Sequence, residues 1–157
     1  MSPQGAPLTV HLFSFGFRAG GVPRDESGHG GGFVFDCRCL PNPHWEPTLR
    51  PLGGDTTAVA AFLAAQPEVA AFVGHAAALV LQAARRYRAD GRARLMVSCG
   101  CTGGRHRSVY VAERLAEALR AEGLAVALRH QDLGRPAATE PLEEPPDEPP
   151  GDPPCGR

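Results

Sequence analysis

Apolar residues in this chain recur with two different periods, and the switches between them divide it into strands and helices. Leu8 to Phe15 (LTVHLFSF) alternates apolar with polar residues and predicts a strand stopped by Gly16. Phe33 to Cys39 (FVFDCRC) predicts a second strand, Arg94 to Cys99 (RLMVSC) a buried third, and Ala125 to His130 (AVALRH) a fourth. Elsewhere the period lengthens to that of a helix. Asp55 or Thr56 is placed to cap a short helix reaching Ala65, and Pro67 suits the first turn of a longer one reaching Arg88. In that longer helix Val69, Phe72, Val73, Ala76, Val80, Ala83 and Tyr87 fall on one face, while His75, Gln82, Arg85 and Arg86 fall on the solvated side. Ser108 to Glu122 predicts a third helix, with Val109, Ala112, Leu115 and Leu119 inward and Gly123 as its stop. Strand, loop, helix and strand from Arg94 to His130 form a βαβ unit. The expected fold class is therefore α/β, a small and mostly parallel sheet flanked by helices, with a phosphate-type loop between strand and helix.

The connections carry their own signals. Phe17 to Gly32 is glycine-rich, includes Arg18, Arg24 and Asp25, and predicts a long mobile loop. Pro41-Asn42-Pro43-His44-Trp45 predicts an irregular, stiff segment, because each proline removes a donor and restrains its predecessor. From Gly134 onward the composition shifts to Pro, Glu and Asp, which predicts one ordered domain over residues 1–133 and a disordered acidic tail over 134–157.

Composition changes this picture in three places. The net charge of −1 gives no overall attraction to nucleic acid or to anionic membranes, but residues 1–133 hold 14 Arg against 11 acids and residues 134–157 two against six. All 16 basic residues are Arg, alongside abundant Ala, Gly and Pro, a bias that fits codon composition better than ligand choice. Uninterrupted apolar runs such as Ala76 to Leu81 are short for a membrane span, so a cytoplasmic protein with no membrane partner is expected. Five cysteines in a domain large enough to fold without staples fit reduced thiols. The pairs Cys37/Cys39 and Cys99/Cys101 lack the knuckle spacing of a zinc site, and neither a metal nor a cofactor is expected.

The chemistry concentrates in Gly100 to Ser108 (GCTGGRHRS), placed after a buried strand and before an amphipathic helix, where open α/β sheets hold their ligands. Gly100, Gly103 and Gly104 let the backbone turn and approach a ligand closely, and the helix start adds free N–H donors and the positive end of its dipole. Arg105 and Arg107 bring guanidinium groups, and Thr102 and Ser108 hydroxyls. The partner that suits all of these is a compact, phosphate-like anion; His106 is expected to point away from it. The loop is neither a Walker A sequence nor a dinucleotide fingerprint. Cys101 and Arg107 also stand at the Cys-x5-Arg spacing of cysteine-dependent phosphatases, with Cys101 as nucleophile, Arg107 as clamp and Asp36 or Asp132 as acid. Gly100 where such enzymes carry His, and the lack of a recognisable acid loop, leave that enzyme reading as the runner-up.

Five motifs in order, SFGF at 14–17, PRD at 23–25, FDCRCLPNPHW at 35–45, LRPLGG at 49–54 and GCTGGRHRSV at 100–109, resemble the C-terminal domain of the RapZ family of RNase adapters. The resemblance spans Leu8 to Leu133. It implies a regulatory domain that senses an amino-sugar phosphate, glucosamine-6-phosphate, and binds small RNA for delivery to an RNase. It further implies a pocket of Asp36, His44, Cys101, Thr102, Gly103 and Arg107, with Asn42 and Trp45 shaping the loop beside it. Partners on this view are a phosphorylated small molecule and RNA, an RNase or another protein; the oligomeric state stays open. The family's N-terminal P-loop domain has no counterpart in this sequence, so nucleotide binding by that domain is not expected. An acidic tail where the family carries a basic end repels phosphate backbones and weighs against the third reading, an RNA-binding module.

Overall fold

A computed structural model describes residues 7–135 of the chain. The elements follow in the order β1 (Thr9–Gly16), β2 (Phe33–Asp36), α1 (Thr57–Ala64), α2 (Pro67–Ala89), β3 (Arg94–Cys101), α3 (Arg107–Ala121) and β4 (Ala125–His130), with short 3-10 turns at Cys37–Cys39 and Pro43–Trp45. The four strands form one sheet in the order β2-β3-β1-β4, and every pairing is parallel. The expected α/β class is correct. The disordered tail predicted beyond Gly134 lies, past Arg135, outside the described residues.

Register places Val10, Leu12 and Ser14 of β1 level with Leu95, Val97 and Cys99 of β3 and, for β4, with Val126, Leu128 and His130. With Phe33 and Phe35 of β2 these residues form the sheet face on which the helices pack. There they meet Val59 and Leu63 of α1, Val69, Ala76 and Val80 of α2, and Val111, Leu115 and Leu119 of α3 in one hydrophobic cluster. Burying such side chains is worth roughly 1.5–3 kcal/mol each, and this shared face is the main term holding the helices to the sheet. On the other face Asp25 of the long 17–32 connection sits 3.7 Å from Arg94, and Phe17 packs edge-on to Phe15 at 4.7 Å between ring centres.

That connection is pinned rather than loose. Asp25 accepts from the Ser27 hydroxyl and from the backbone N–H groups of Gly31 and Ser27, which together hold its carboxyl well below the usual range. Near the start of the loop, Gly16 and Gly20 donate to the buried carboxylate of Asp132 at 2.9 and 3.2 Å.

Three boundaries differ from the sequence pattern. The second strand stops at Asp36 rather than Cys39, because the Asp36 carboxylate accepts from Arg38 N–H at 3.0 Å and bends the chain into a 3-10 turn. The proline segment expected to be irregular contains a regular turn, since Pro43 sits at its first position, where no N–H is needed, and Asn42 Oδ1 accepts from His44 N–H at 3.1 Å. Thr56 starts α1, but its hydroxyl donates to Gly53 O at 2.6 Å instead of capping the helix. The end of α3 follows expectation: Gly123 takes φ +81°, and Gly123 and Leu124 return hydrogen bonds to Arg120 and Leu119.

By length and composition α2 could cross a membrane, yet Val69, Ala76, Ala77, Val80 and Ala84 are buried in the core. Its opposite side carries exposed His75, Gln82, Arg85 and Arg86.

Candidate functional site

The loop between β3 and α3 rides directly over the end of β1. Phe17 and Arg18 N–H groups donate to the carbonyls of Cys101 and Thr102 at 2.8 and 3.0 Å, so the sheet ladder continues into the loop. Gly104 makes the closest approach: at φ +74°, a Cβ on it would lie 2.5 Å from Gly16 N and 2.9 Å from the Asp132 Cβ. Only glycine combines that backbone angle with that contact. Gly103, one residue earlier, faces open space, with nothing within 4 Å of where its Cβ would stand.

The loop's backbone donors carry the site. Tyr110 N–H is the first to donate within the helix, to His106 O at 3.1 Å, and His106 provides no side-chain cap. The N–H groups of Arg107, Ser108 and Val109 are thus the free donors every helix start exposes. Among the described residues, those of Thr102 to His106 also have no protein acceptor. Eight consecutive N–H donors without a protein acceptor thus lie on a tight loop at the positive end of a 15-residue helix, an arrangement whose chemistry suits an anion.

Side chains from other elements close around this loop. Arg107 is 2% exposed and its Nη1 donates to the carbonyls of Arg38 and Leu40 at 2.9 and 3.0 Å, tying the helix start to the turn after β2. Its Nε is buried without a partner. Arg105 reaches Pro51 O at 3.2 Å, and Arg105 O accepts from Gly54 N–H at 2.6 Å. Cys101 Sγ and Ser108 Oγ, both buried, lie 3.1 Å apart beneath the loop.

Asp36 is paired with Arg38 through both carboxylate oxygens, at 2.9 Å to Nε and 2.7 Å to Nη2; that bond, and the more distant Arg107 charge, hold its carboxyl below the usual range. The same Arg38 guanidinium stacks 4.0 Å over the Phe17 ring. His44 packs edge-on against exposed Trp45, and its carbonyl accepts from Arg50 Nε at 2.9 Å. His106 is buried, and Gly54 packs against its carbonyl. Burial lowers the His106 pKa, and the Arg105 and His44 charges lower it further, against the pull of the Leu52 and Arg50 backbone.

Strand register and the Arg107 bonds thus bring Asp36 and the turn after β2 alongside the Cys101–Ser108 stretch, with His44 near His106. Two assignments of the enzyme reading do not fit this geometry. Asp132 is wholly buried and already accepts from Gly16, Gly20 and Arg135, so it serves as a backbone clamp rather than a proton donor. Asp36, held ionised by Arg38, is equally poor as an acid.

Sequence reasoning missed two contributors and gave a third the wrong role. Arg38 anchors Asp36, and its signal was the Asp-x-Arg spacing in FDCRC. Arg50 braces the His44 turn. Asp132, named only as a candidate acid, bonds the Gly16 and Gly20 N–H groups and stands against Gly104, 28 residues before it, a contact that no local pattern encodes. The cavity of about 260 Å³ lined by Leu8, Arg88, Gly91, Arg92 and Gly123 lies at the opposite end of the sheet. There the C-termini of α2 and α3 present carbonyls, and Arg88 already donates to Gly123 O, so it offers an anion nothing comparable.

A family model described as the RapZ C-terminal domain matches residues 8–134. A nucleotide-binding protein of Halorhodospira halophila is 48% identical over 126 residues, covering 80% of this chain and 42% of that protein. One from Methylococcus capsulatus is 44% identical over 135 residues (86% and 44%), and one from Parafrankia sp. 41% over 133 (85% and 44%). The chain spans less than half the length of these curated relatives.

Proposed function

The chain belongs to the RapZ C-terminal domain family, and from that premise we propose that it is a regulatory domain binding a phosphorylated small molecule in the Thr102–Val109 cradle. The observation that carries this reading is the run of eight unanswered N–H donors beside the open space at Gly103. A phosphate monoester suits them, because its oxygens accept several N–H bonds at once and its charge meets the positive helix end. A sugar phosphate such as glucosamine-6-phosphate would place its phosphoryl group there and its hydroxyl or amino groups toward Asp36 and His44. Cys101 then lines the pocket and Arg107 supports the loop, with its unpartnered Nε the group nearest to further use.

On this reading occupancy is passed to a partner, RNA, an RNase or another protein, in a cytoplasmic setting that suits the free thiols. The relatives' name speaks of nucleotide binding, and we assign that property to the larger part of their length that this chain does not match. The Cys101–Ser108 contact, 3.1 Å from Sγ to Oγ, keeps a phosphatase as the alternative, but Asp36 and Asp132 are both engaged elsewhere.

Thermal melting with inorganic phosphate, sulfate and a panel of sugar phosphates tests the proposal. A ligand at a hundred times its Kd stabilises the fold by about 2.7 kcal/mol, an easily read rise in Tm. No rise with any of them would remove the sensing role. Turnover of an aryl phosphate by wild type and not by Cys101→Ser would instead establish the enzyme.

A further inference from the structure

Four cysteines meet at the base of the loop. Cys37, Cys99 and Cys101 are buried and face the same core, Cys39 is exposed on the 3-10 turn it shares with Cys37, and all four are free thiols. The β2/β3 register sets Phe35 level with Cys99 and Asp36 with Gly100, which brings the next residue, Cys37, alongside the Cys99–Cys101 stretch. The Cys37 thiol donates to Phe35 O at 3.7 Å, and its interaction with the Cys99 thiol, its burial and the nearby Cys101 and Cys39 push it well above the usual thiol range. A thiol so placed is inert toward solvent but surrounded by sulfur.

We propose that this cluster is a peroxide-oxidisable site in which exposed Cys39 is attacked first and Cys37 resolves it as a disulfide, exchangeable onto Cys99. The Cys39 thiolate attacks one oxygen of the peroxide, the O–O bond breaks, and Cys39 becomes a sulfenic acid as hydroxide leaves. The Cys37 sulfur then displaces that hydroxyl, its proton leaving with it as water, and an S–S bond replaces the S–O bond. Two thiols and one hydrogen peroxide give one disulfide and two waters. Attack by Cys99 on the Cys37 sulfur returns Cys39 to a thiol, ready for a further turn.

The site is mechanically joined to the cradle. Arg107 holds the carbonyls of Arg38 and Leu40, the two residues flanking Cys39, and Cys101 opens the loop itself. A disulfide in the turn shifts those carbonyls and loosens the seat of α3, so oxidation weakens anion binding. This coupling rests on the anion-cradle reading; the disulfide chemistry does not.

The test uses the full chain carrying Cys155→Ser, which removes the fifth cysteine and leaves the four described ones. Reduced protein is exposed to hydrogen peroxide, the remaining thiols are alkylated, and the product is cut with trypsin, which cleaves after Arg38 and separates Cys37 from Cys39. The expected product is a disulfide-linked peptide pair containing Cys37, joined to Cys39 or Cys99. The exposed substitution Cys39→Ser should slow its formation at least about tenfold. Oxidation confined to Cys39, with Cys37, Cys99 and Cys101 all still alkylated, overturns the proposal.

Titration of the reduced and oxidised forms with inorganic phosphate reads the coupling, with about tenfold weaker binding expected after oxidation. Equal affinities overturn the coupling. A disulfide formed at Cys37 with no phosphate binding in either form upholds the thiol site and removes the anion-cradle reading.

Discussion

Replacing Gly104 by Ala tests the contact that shapes the candidate site, and its effect can be worked from two independent terms. At φ +74° an L-residue costs about 1–2 kcal/mol through the clash of its Cβ with the following carbonyl. The same Cβ would stand 2.5 Å from Gly16 N and 2.8 Å from Phe15 C, both backbone atoms of the central strand β1 that cannot rotate away. Overpacking of this kind adds about 1–3 kcal/mol. The sum, about 2–5 kcal/mol, lowers Tm by roughly 8–20 °C for a domain of this size. Gly103→Ala is the matched control. Nothing lies within 4 Å of its Cβ position, so its stability should stay within about 0.5 kcal/mol of wild type. On the proposed anion site its methyl group would crowd the ligand beside the loop donors, and phosphate affinity should fall by about tenfold or more. Thermal melting and phosphate titration of both variants check the pair. A Gly104→Ala protein melting with wild type would refute the close packing of loop on strand. A Gly103→Ala protein that binds phosphate undiminished would refute the placement of the anion.

Arg107→Ala leaves the Arg38 and Leu40 carbonyls buried without their donor and should destabilise by about 2–4 kcal/mol in urea unfolding; a loss under about 0.5 kcal/mol would show the tie to be idle. Asp132→Asn keeps one acceptor but loses the charge that meets Gly16 N, Gly20 N and Arg135, and a drop of about 1–3 kcal/mol is expected by the same measurement. His106 has its folded pKa below the ordinary 6.5, so the unfolded chain binds its proton more readily. The stability this contributes is complete above pH 6.5 and is lost as pH falls through the folded value; His106→Gln should flatten the dependence of ΔG on pH in that window, and an unchanged slope would exclude the assignment.

Much of this protein is written in local pattern. The strand positions, the 3.6-residue period of α2 and α3, the Gly123 stop and the anion-suited composition of Thr102 to Ser108 all follow from residue type and spacing, because they depend on neighbours within a turn or a pleat. So does the family, through motifs that keep their order along the chain. What the tertiary structure decided are the long-range matters. β1 lies between β3 and β4, so the βαβ unit straddles a strand that begins the chain. Arg107, which looked like an anion clamp, spends one end of its guanidinium on carbonyls 67 and 69 residues away. Asp132, a candidate acid by type alone, is the buried acceptor that holds Gly16 beneath the loop. Residue type sets which bonds a side chain is able to make; which of them it does make depends on the partners that folding delivers, and a buried charge takes those first because leaving water without them is too costly.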